Sequence, residues 1–287
     1  MKAMTMTSRL AAARSLLFVP GNRPDRFEKA LASGADAVIL DLEDSVPPPD
    51  KAAARQAISA QWPALLPLNV PLLVRINAAS SAAWSDDLAA IAGLSGLAGV
   101  MVSKAESPAT LGELTALLDG VPLLPLVETV AGFDAVRALA AAPGVLRLAV
   151  GHIDFMADAG MSCDERESEL VPLRFAVAMA TRASSLAPAI DGVTVQTSDE
   201  QRLRADTLRA LRFGFGAKLC IHPRQVAGVH EALAPTEQEL AWARRVIAAD
   251  QASGGAAVQL DGRMVDLPVV LQARNTLARA AAPVPKS

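Results

Sequence analysis

The chain has 287 residues, 52% of them hydrophobic and 20% charged, with a formal net charge of −3. That length buries one large core or two small ones, and the slightly acidic balance argues against nucleic acid as a bulk electrostatic partner. No stretch approaches about 18 uninterrupted strongly apolar residues, so no membrane span is expected. Tyr is absent and aromatics are 3%, which makes stacking on bases an unsuitable mode of action. Cys163 and Cys220 are the two cysteines; nothing requires a disulfide, and a reducing cytoplasm fits.

In chain order, the N-terminus MKAMTMTSRLAAARSLLFVP lacks the long apolar core of a signal peptide and reads as a short frayed leader entering a strand. Eight apolar runs read as strands: 16–20, 37–44, 71–77, 99–104, 122–129, 145–151, 189–194 and 216–223. Helical stretches lie between them, among them 24–33, a helix from Asp50, and one after Ser198 that stops at Gly214. Runs that are apolar on both faces and alternate with helices predict a parallel sheet covered by helices. Eight such units predict a closed (β/α)8 TIM barrel, with an open doubly wound sheet as the alternative. The barrel domain is assigned to 14–232 and a C-terminal helical extension to 233–287. In that extension Gly254-Gly255 and the turn Asp261-Gly262 separate two helices, TEQELAWARRVIAADQASGG and 263–282.

In such a barrel the functional side chains sit at the C-terminal ends of the strands. Those ends carry Arg23 after the first, Asp41, Glu43 and Asp44 at the second, Arg75 and Asn77 at the third, and Lys104 and Glu106 at the fourth. Glu128 ends the fifth, Asp154 follows the sixth at a spacing of 154 − 128 = 26 residues, and His222 ends the eighth. Burying so many charges is costly unless they pair or hold an ion. Two hard carboxylates from neighbouring strands, Glu128 and Asp154, suit magnesium, which keeps waters and takes substrate oxygens; zinc or iron would want His or Cys. Glu43 and Asp44 would accept from the metal's waters. The competing reading pairs Glu128 and Asp154 with Arg75 and Lys104 as ordinary salt bridges. Arg75 is either a bidentate clamp on a substrate carboxylate or a partner for Asp41 or Glu43. Arg23 and Arg26 flank a Pro-Gly-Asn turn where an anion would be welcome, or form a solvated helix face. His152 and His222 read as structural, and the cysteines as packing residues.

The same residues carry a resemblance. The segment RSLLFVPGNRPDRFEKALASGADAVILDLEDSVPPPDKAAAR, followed in order by VRIN, LVET, GHIDF, DGV, KLCIHPRQ and DGRMVDLP, resembles the citrate lyase β-subunit-like family. That family is related to malyl-CoA and citramalyl-CoA lyases and to the wider HpcH/HpaI aldolase group. The resemblance implies a magnesium-dependent TIM barrel, usually a homotrimer or hexamer. It implies Glu128 and Asp154 as Mg2+ ligands with Asp41, Glu43 and Asp44 around them, and Arg75 on the carboxylate of a 2-oxoacid. Arg23, Arg26, Ile221 and His222 would line a coenzyme A channel. Asp266, in DGRMVDLP, would be an acid/base reaching a neighbouring subunit's site. The implied activity is carbon–carbon cleavage of a 3-hydroxy-3-carboxyacyl-CoA to an acyl-CoA and a 2-oxoacid. A citrate lyase complex subunit acting on an acyl-carrier-bound citryl group, a CoA-independent pyruvate-type aldolase and a non-catalytic ligand-binding barrel remain alternatives.

Overall fold

The structure is a computed structural model that describes residues 4–280; the start of the leader (1–3) and the end of the C-terminal extension (281–287) lie outside the described residues. Two compact units divide between Val229 and His230.

The first unit is built on β1 (Ser15–Pro20), β2 (Ala37–Asp41), β3 (Leu72–Ile76), β4 (Gly99–Val102), β5 (Leu123–Val127), β6 (Ala149–Val150), β7 (Ile190–Asp191) and β8 (Ala217–Cys220). They form a closed parallel barrel in sequence order. β8 pairs back onto β1, Lys218 opposite Ser15 and Cys220 opposite Leu17, which removes the open-sheet alternative. Every residue of β2, β3 and β5 is buried, as expected for strands with side chains inside the barrel on one face and helices on the other. Leu16, Ile39, Leu73, Met101, Leu124, Ile190 and Leu219 belong to one buried cluster.

The described part of the leader is not frayed. Met6–Ala12 is a helix whose N-cap Thr5 accepts from the Ser8 amide at 3.1 Å. Leu10, wholly buried, joins the barrel cluster, and a β-carbon on Gly99 at the start of β4 would lie 2.9 Å from Leu10 Cδ2. So short a helix is marginal alone; here burial of Leu10 and the buried Arg147 hold it. Arg147 Nη1 donates to the carbonyls of Leu10 (3.1 Å) and Ala13 (2.7 Å), satisfying the helix's C-terminal end.

Other helices are close to expectation. The 24–33 stretch divides into a 3-10 turn, Pro24–Arg26, and a helix, Phe27–Leu31. Asp199, not Ser198, caps the helix Glu200–Arg212, accepting from the Arg202 amide at 2.8 Å.

The second unit contains the helices Glu237–Ala252 and Leu267–Ala280. Between them lies an antiparallel hairpin, β9 (Val258–Leu260) with β10 (Arg263–Val265), which was not expected. Asp261 and Gly262 both have positive φ (51° and 75°), the backbone a tight two-residue hairpin turn needs. Its core is Ala243, Val246, Val265, Val270 and Ala273. Among the described residues no helix is long and apolar enough to cross a membrane.

Candidate active site

The C-terminal ends of the barrel strands open into a cavity of about 320 Å³ whose lining includes Asp41, Asp44, Arg75, Glu128, Asp154 and Ile221. Each reaches it for a local reason. Asp41 is the last residue of β2, and the turn after β1 closes on it through the Gly21 amide, which donates to the Asp41 carbonyl at 2.8 Å. A β-carbon at Gly21 would come within 2.7 Å of that oxygen, so the approach requires glycine.

Arg75, on β3, donates Nε and Nη2 to the two carboxylate oxygens of the fully buried Asp41, each at 2.6 Å. Its Nη1 lies 3.0 Å from Glu43 Oε2, and the guanidinium stacks over Phe18 at 4.7 Å. Of the two readings of Arg75, the ion partner is present in full, and it also fixes the plane of the guanidinium at the cavity wall. Asp41 accepts in addition from the amides of Glu43 and Ser45, so both its oxygens are engaged.

Glu128 follows β5 and is 1% exposed. Its Oε1 accepts from the Lys104 amide at 2.8 Å. Burial, reinforced by the Glu43 carboxylate, pushes its pKa up to about 8, against the pull of Arg75 and Lys104. Gly151 opposes it: a β-carbon there would lie 2.4 Å from Glu128 Oε2.

Asp154 is not at a strand end. β6 stops at Val150, the Gly151 amide donates to the Val127 carbonyl, and the chain turns directly into the helix His152–Asp158, with Asp154 in its first turn. His152 points into the protein, where a β-carbon on Gly192 would sit 2.2 Å from its Nδ1. Burial lowers its pKa to about 4, leaving a neutral imidazole.

Lys104 completes the cluster. Its Nζ lies 2.6 Å from Glu43 Oε1, 3.7 Å from Asp154 Oδ1 and 4.0 Å from Asp44 Oδ1. Glu43, Asp44, Glu128 and Asp154 thus face Lys104 and an Arg75 already engaged by Asp41. A buried carboxylate with a raised pKa beside further carboxylates marks a site short of positive charge. The donors are hard oxygens, and among the described residues no group of three or more His, Cys, Asp or Glu makes a full ligand cage. This donor set fits a cation that keeps waters and takes substrate oxygens, as magnesium does.

The remaining expected residues are more dispersed. Arg23, in the loop after β1, is paired with Asp25 at 2.9 and 2.8 Å; Arg26 is exposed. Ile221 is 40% exposed. His222 lies beyond β8, which ends at Cys220, and its Nδ1 accepts from the Arg224 amide at 3.1 Å. Asn77 is buried against Asp87, donating Nδ2 at 2.6 Å. Asp266 belongs to the second unit, half-buried directly after β10.

The sequence reading missed the network that supports the loop after Asp154. Glu167, at φ 52°, accepts from Arg174 (2.7 Å), Arg202 (2.6 Å) and Arg209 (2.8 Å). Arg174 also donates to Asp191 on β7 at 2.9 Å. Asp191 and Lys218, charged residues inside apolar strand runs, were the available signal.

Against this geometry the comparisons with known proteins are direct. Residues 14–223 match the family model for HpcH/HpaI aldolase/citrate lyase. The chain belongs to this HpcH/HpaI aldolase/citrate lyase family. It is similar to a citrate lyase subunit beta-like protein of Deinococcus radiodurans, 36% identical, with 94% of this chain and 98% of the relative covered. It is also similar to the L-malyl-CoA/beta-methylmalyl-CoA lyase of Cereibacter sphaeroides, 32% identical over 93% of this chain and 94% of the relative. The crystal structure of protein CitE from Mycobacterium tuberculosis, in complex with magnesium, acetoacetate and coenzyme A, superposes with a TM-score of 0.82 at 36% identity, covering 94% of this chain and 99% of that one. The relatives in this HpcH/HpaI family are carbon–carbon lyases.

Proposed function

We propose that the protein is a magnesium-dependent carbon–carbon lyase that cleaves or forms a 3-hydroxy-3-carboxyacyl-CoA, such as citramalyl-, malyl- or citryl-CoA, giving an acyl-CoA and a 2-oxoacid. The observation that carries this reading is the joint lining of one cavity by Glu128, Asp154 and Arg75, two cation-seeking carboxylates beside a fixed guanidinium. The magnesium-bound and CoA-named relatives support it.

Glu128 and Asp154 would hold the ion, which when bound supplies Lewis-acid polarisation of the substrate's hydroxyl or keto oxygen. Arg75 orients the substrate carboxylate. Asp41 engages Nε and Nη2, so the guanidinium is held in one plane and keeps further N–H groups on Nη1 and Nη2 for that carboxylate. Arg23, Arg26, Ile221 and His222 would flank the coenzyme A chain on the loops after β1 and β8. Cleavage removes a proton from the hydroxyl and returns one to the departing thioester enolate. Asp266 is assigned this proton, acting on a neighbouring subunit's site in a homotrimer or hexamer. Support comes from the apolar surface beside it: Met264, Leu267 and Leu271 are 71%, 65% and 49% exposed in the single chain, a patch that suits a subunit contact. A water relayed through Glu43 or Asp44 is the rival proton carrier. A reducing cytoplasm suits the two free cysteines.

The test is a panel of malyl-, methylmalyl-, citramalyl- and citryl-CoA, with and without Mg2+, on the purified chain. Magnesium-dependent release of acyl-CoA from at least one is expected. Turnover only of a carrier-bound citryl group would instead favour a citrate lyase complex subunit, and no turnover together with no calorimetric binding of Mg2+ plus a 2-oxoacid would favour a non-catalytic assembly or sensing role on a retained barrel.

A further inference from the structure

Lys104 is the residue in which the two sides of the carboxylate cluster meet. It follows β4 with φ 45°, a left-handed backbone uncommon for a side chain of this size. That conformation lets one residue serve two carboxylates. Its amide donates to Glu128 Oε1 at 2.8 Å, while its ammonium turns to Glu43 Oε1 at 2.6 Å. The ammonium also reaches Asp154 at 3.7 Å and Asp44 at 4.0 Å. Arg75 also reaches Glu43 (3.0 Å) and Asp44 (3.9 Å) through Nη1, but its Nε and Nη2 are fixed by Asp41, and it makes no ion pair with Asp154. The positive charge paired with Asp154 is therefore that of Lys104, whose side chain is 31% exposed and so has room to withdraw.

We propose that Lys104 is a positioning residue with two opposed effects: its backbone amide holds Glu128 in place, and its ammonium acts as a resident counter-ion that competes with magnesium for Asp154 and keeps metal affinity low until the 2-oxoacid binds. The inference rests on the reading of Glu128 and Asp154 as the metal site. A unit charge a few ångströms from a bound dication repels it strongly in a half-buried site. The carboxylate of an incoming 2-oxoacid offsets that repulsion and adds oxygen ligands. Metal and oxoacid then bind with positive coupling, each raising the affinity of the other by the same factor.

The experiment is calorimetric titration of Mg2+ into wild type, Lys104→Met, Lys104→Gln and Lys104→Arg, with and without pyruvate, alongside Glu128→Gln. Both neutral variants keep the amide that holds Glu128, and Lys104→Gln keeps a donor for Glu43 if Lys104→Met folds poorly. Without pyruvate the neutral variants are expected to bind Mg2+ at least ~10-fold more tightly than wild type, with Lys104→Arg close to wild type. Pyruvate should tighten Mg2+ binding in wild type and do so less in the neutral variants. Unchanged or weaker Mg2+ binding in the folded neutral variants would overturn the proposal, since loss of a merely structural lysine would loosen the site. Failure of the underlying site reading looks different: wild type and Glu128→Gln would then bind Mg2+ alike.

Discussion

Gly151 stands against Glu128 so closely that a β-carbon added at position 151 would lie 2.4 Å from Glu128 Oε2 and 2.6 Å from Glu128 Cβ. The second contact is with the root of the side chain, which cannot swing away. Glycine at the end of β6 is thus part of what sets the position of the carboxylate at the end of β5. Gly151→Ala should displace Glu128, cost about 1–3 kcal/mol of stability, and weaken Mg2+ binding. Urea unfolding and magnesium calorimetry measure the two effects. Wild-type magnesium affinity in the alanine variant would show that Gly151 does not set the position of a metal-holding Glu128.

Arg75 and Asp41 form a buried bidentate pair, so removing one side breaks the bond that fixes the other. Burial pushes the Asp41 carboxyl up, but the Arg75 guanidinium pulls it below the usual carboxylate range. Asp41→Asn therefore leaves Arg75 with Glu43 as its close ion partner and no bidentate bond to fix its plane, with a loss of up to about 3–5 kcal/mol. The catalytic signature should be a raised KM for the oxoacid in the synthetic direction, while Mg2+ binding without substrate stays near wild type. Equal damage to both would mean that Asp41 organises the whole cluster and not the guanidinium alone.

The two thiols should differ in reactivity and in pH linkage. Cys220, at the end of β8, is fully buried, and burial pushes its pKa from 9.0 up to about 12. Cys163 is only half-buried. A thiol reagent at pH 8 should label at most Cys163 in the native protein and both residues in urea, because the thiolate is the reactive form. The unfolded chain loses the Cys220 proton first as pH rises, so the contribution of this thiol to stability is complete below pH 9.0 and is lost as pH climbs toward about 12. Cys220→Ala should flatten the decline in urea midpoint across that window.

The barrel was legible because its eight strands are apolar on both faces, a pattern that only a sheet covered on both sides explains. The site was legible as polar residues ending those strands. What stayed hidden depended on tertiary contacts or on backbone conformation. The Met6–Ala12 helix is held by Leu10 and Arg147, residues 137 positions apart. Asp154 read as a strand end because GHID continues the apolar run, while the turn into a helix at Gly151 depends on a bond to Val127. The hairpin at Asp261-Gly262 did have a signal, the alternation in VQL-DG-RMV, which the helical look of its flanks masked. The two hydrogen bonds of Lys104, from its amide to Glu128 and from its ammonium to Glu43, go with a left-handed backbone that residue type does not announce.

Asp266 can be tested without any structure of the assembly. If it acts on a neighbouring subunit, two variants that are each inactive should complement one another. Asp266→Asn keeps an intact cavity but lacks the proton carrier; Glu128→Gln lacks the proposed ligand but keeps Asp266 to lend. Neither alone should turn over substrate appreciably. A site in a mixed oligomer works when its own subunit carries Glu128 and the adjacent subunit carries Asp266. Random assembly of equal amounts meets both conditions in roughly a quarter of sites, so co-refolded or co-expressed mixtures should recover about that fraction of wild-type activity. Mixing pre-formed oligomers without exchange should recover none, which separates complementation from contamination. If co-assembled mixtures stay inactive while size-exclusion chromatography shows mixed oligomers, Asp266 serves its own chain; an Asp266→Asn variant that is itself active would instead make the water relayed through Glu43 or Asp44 the proton carrier to pursue.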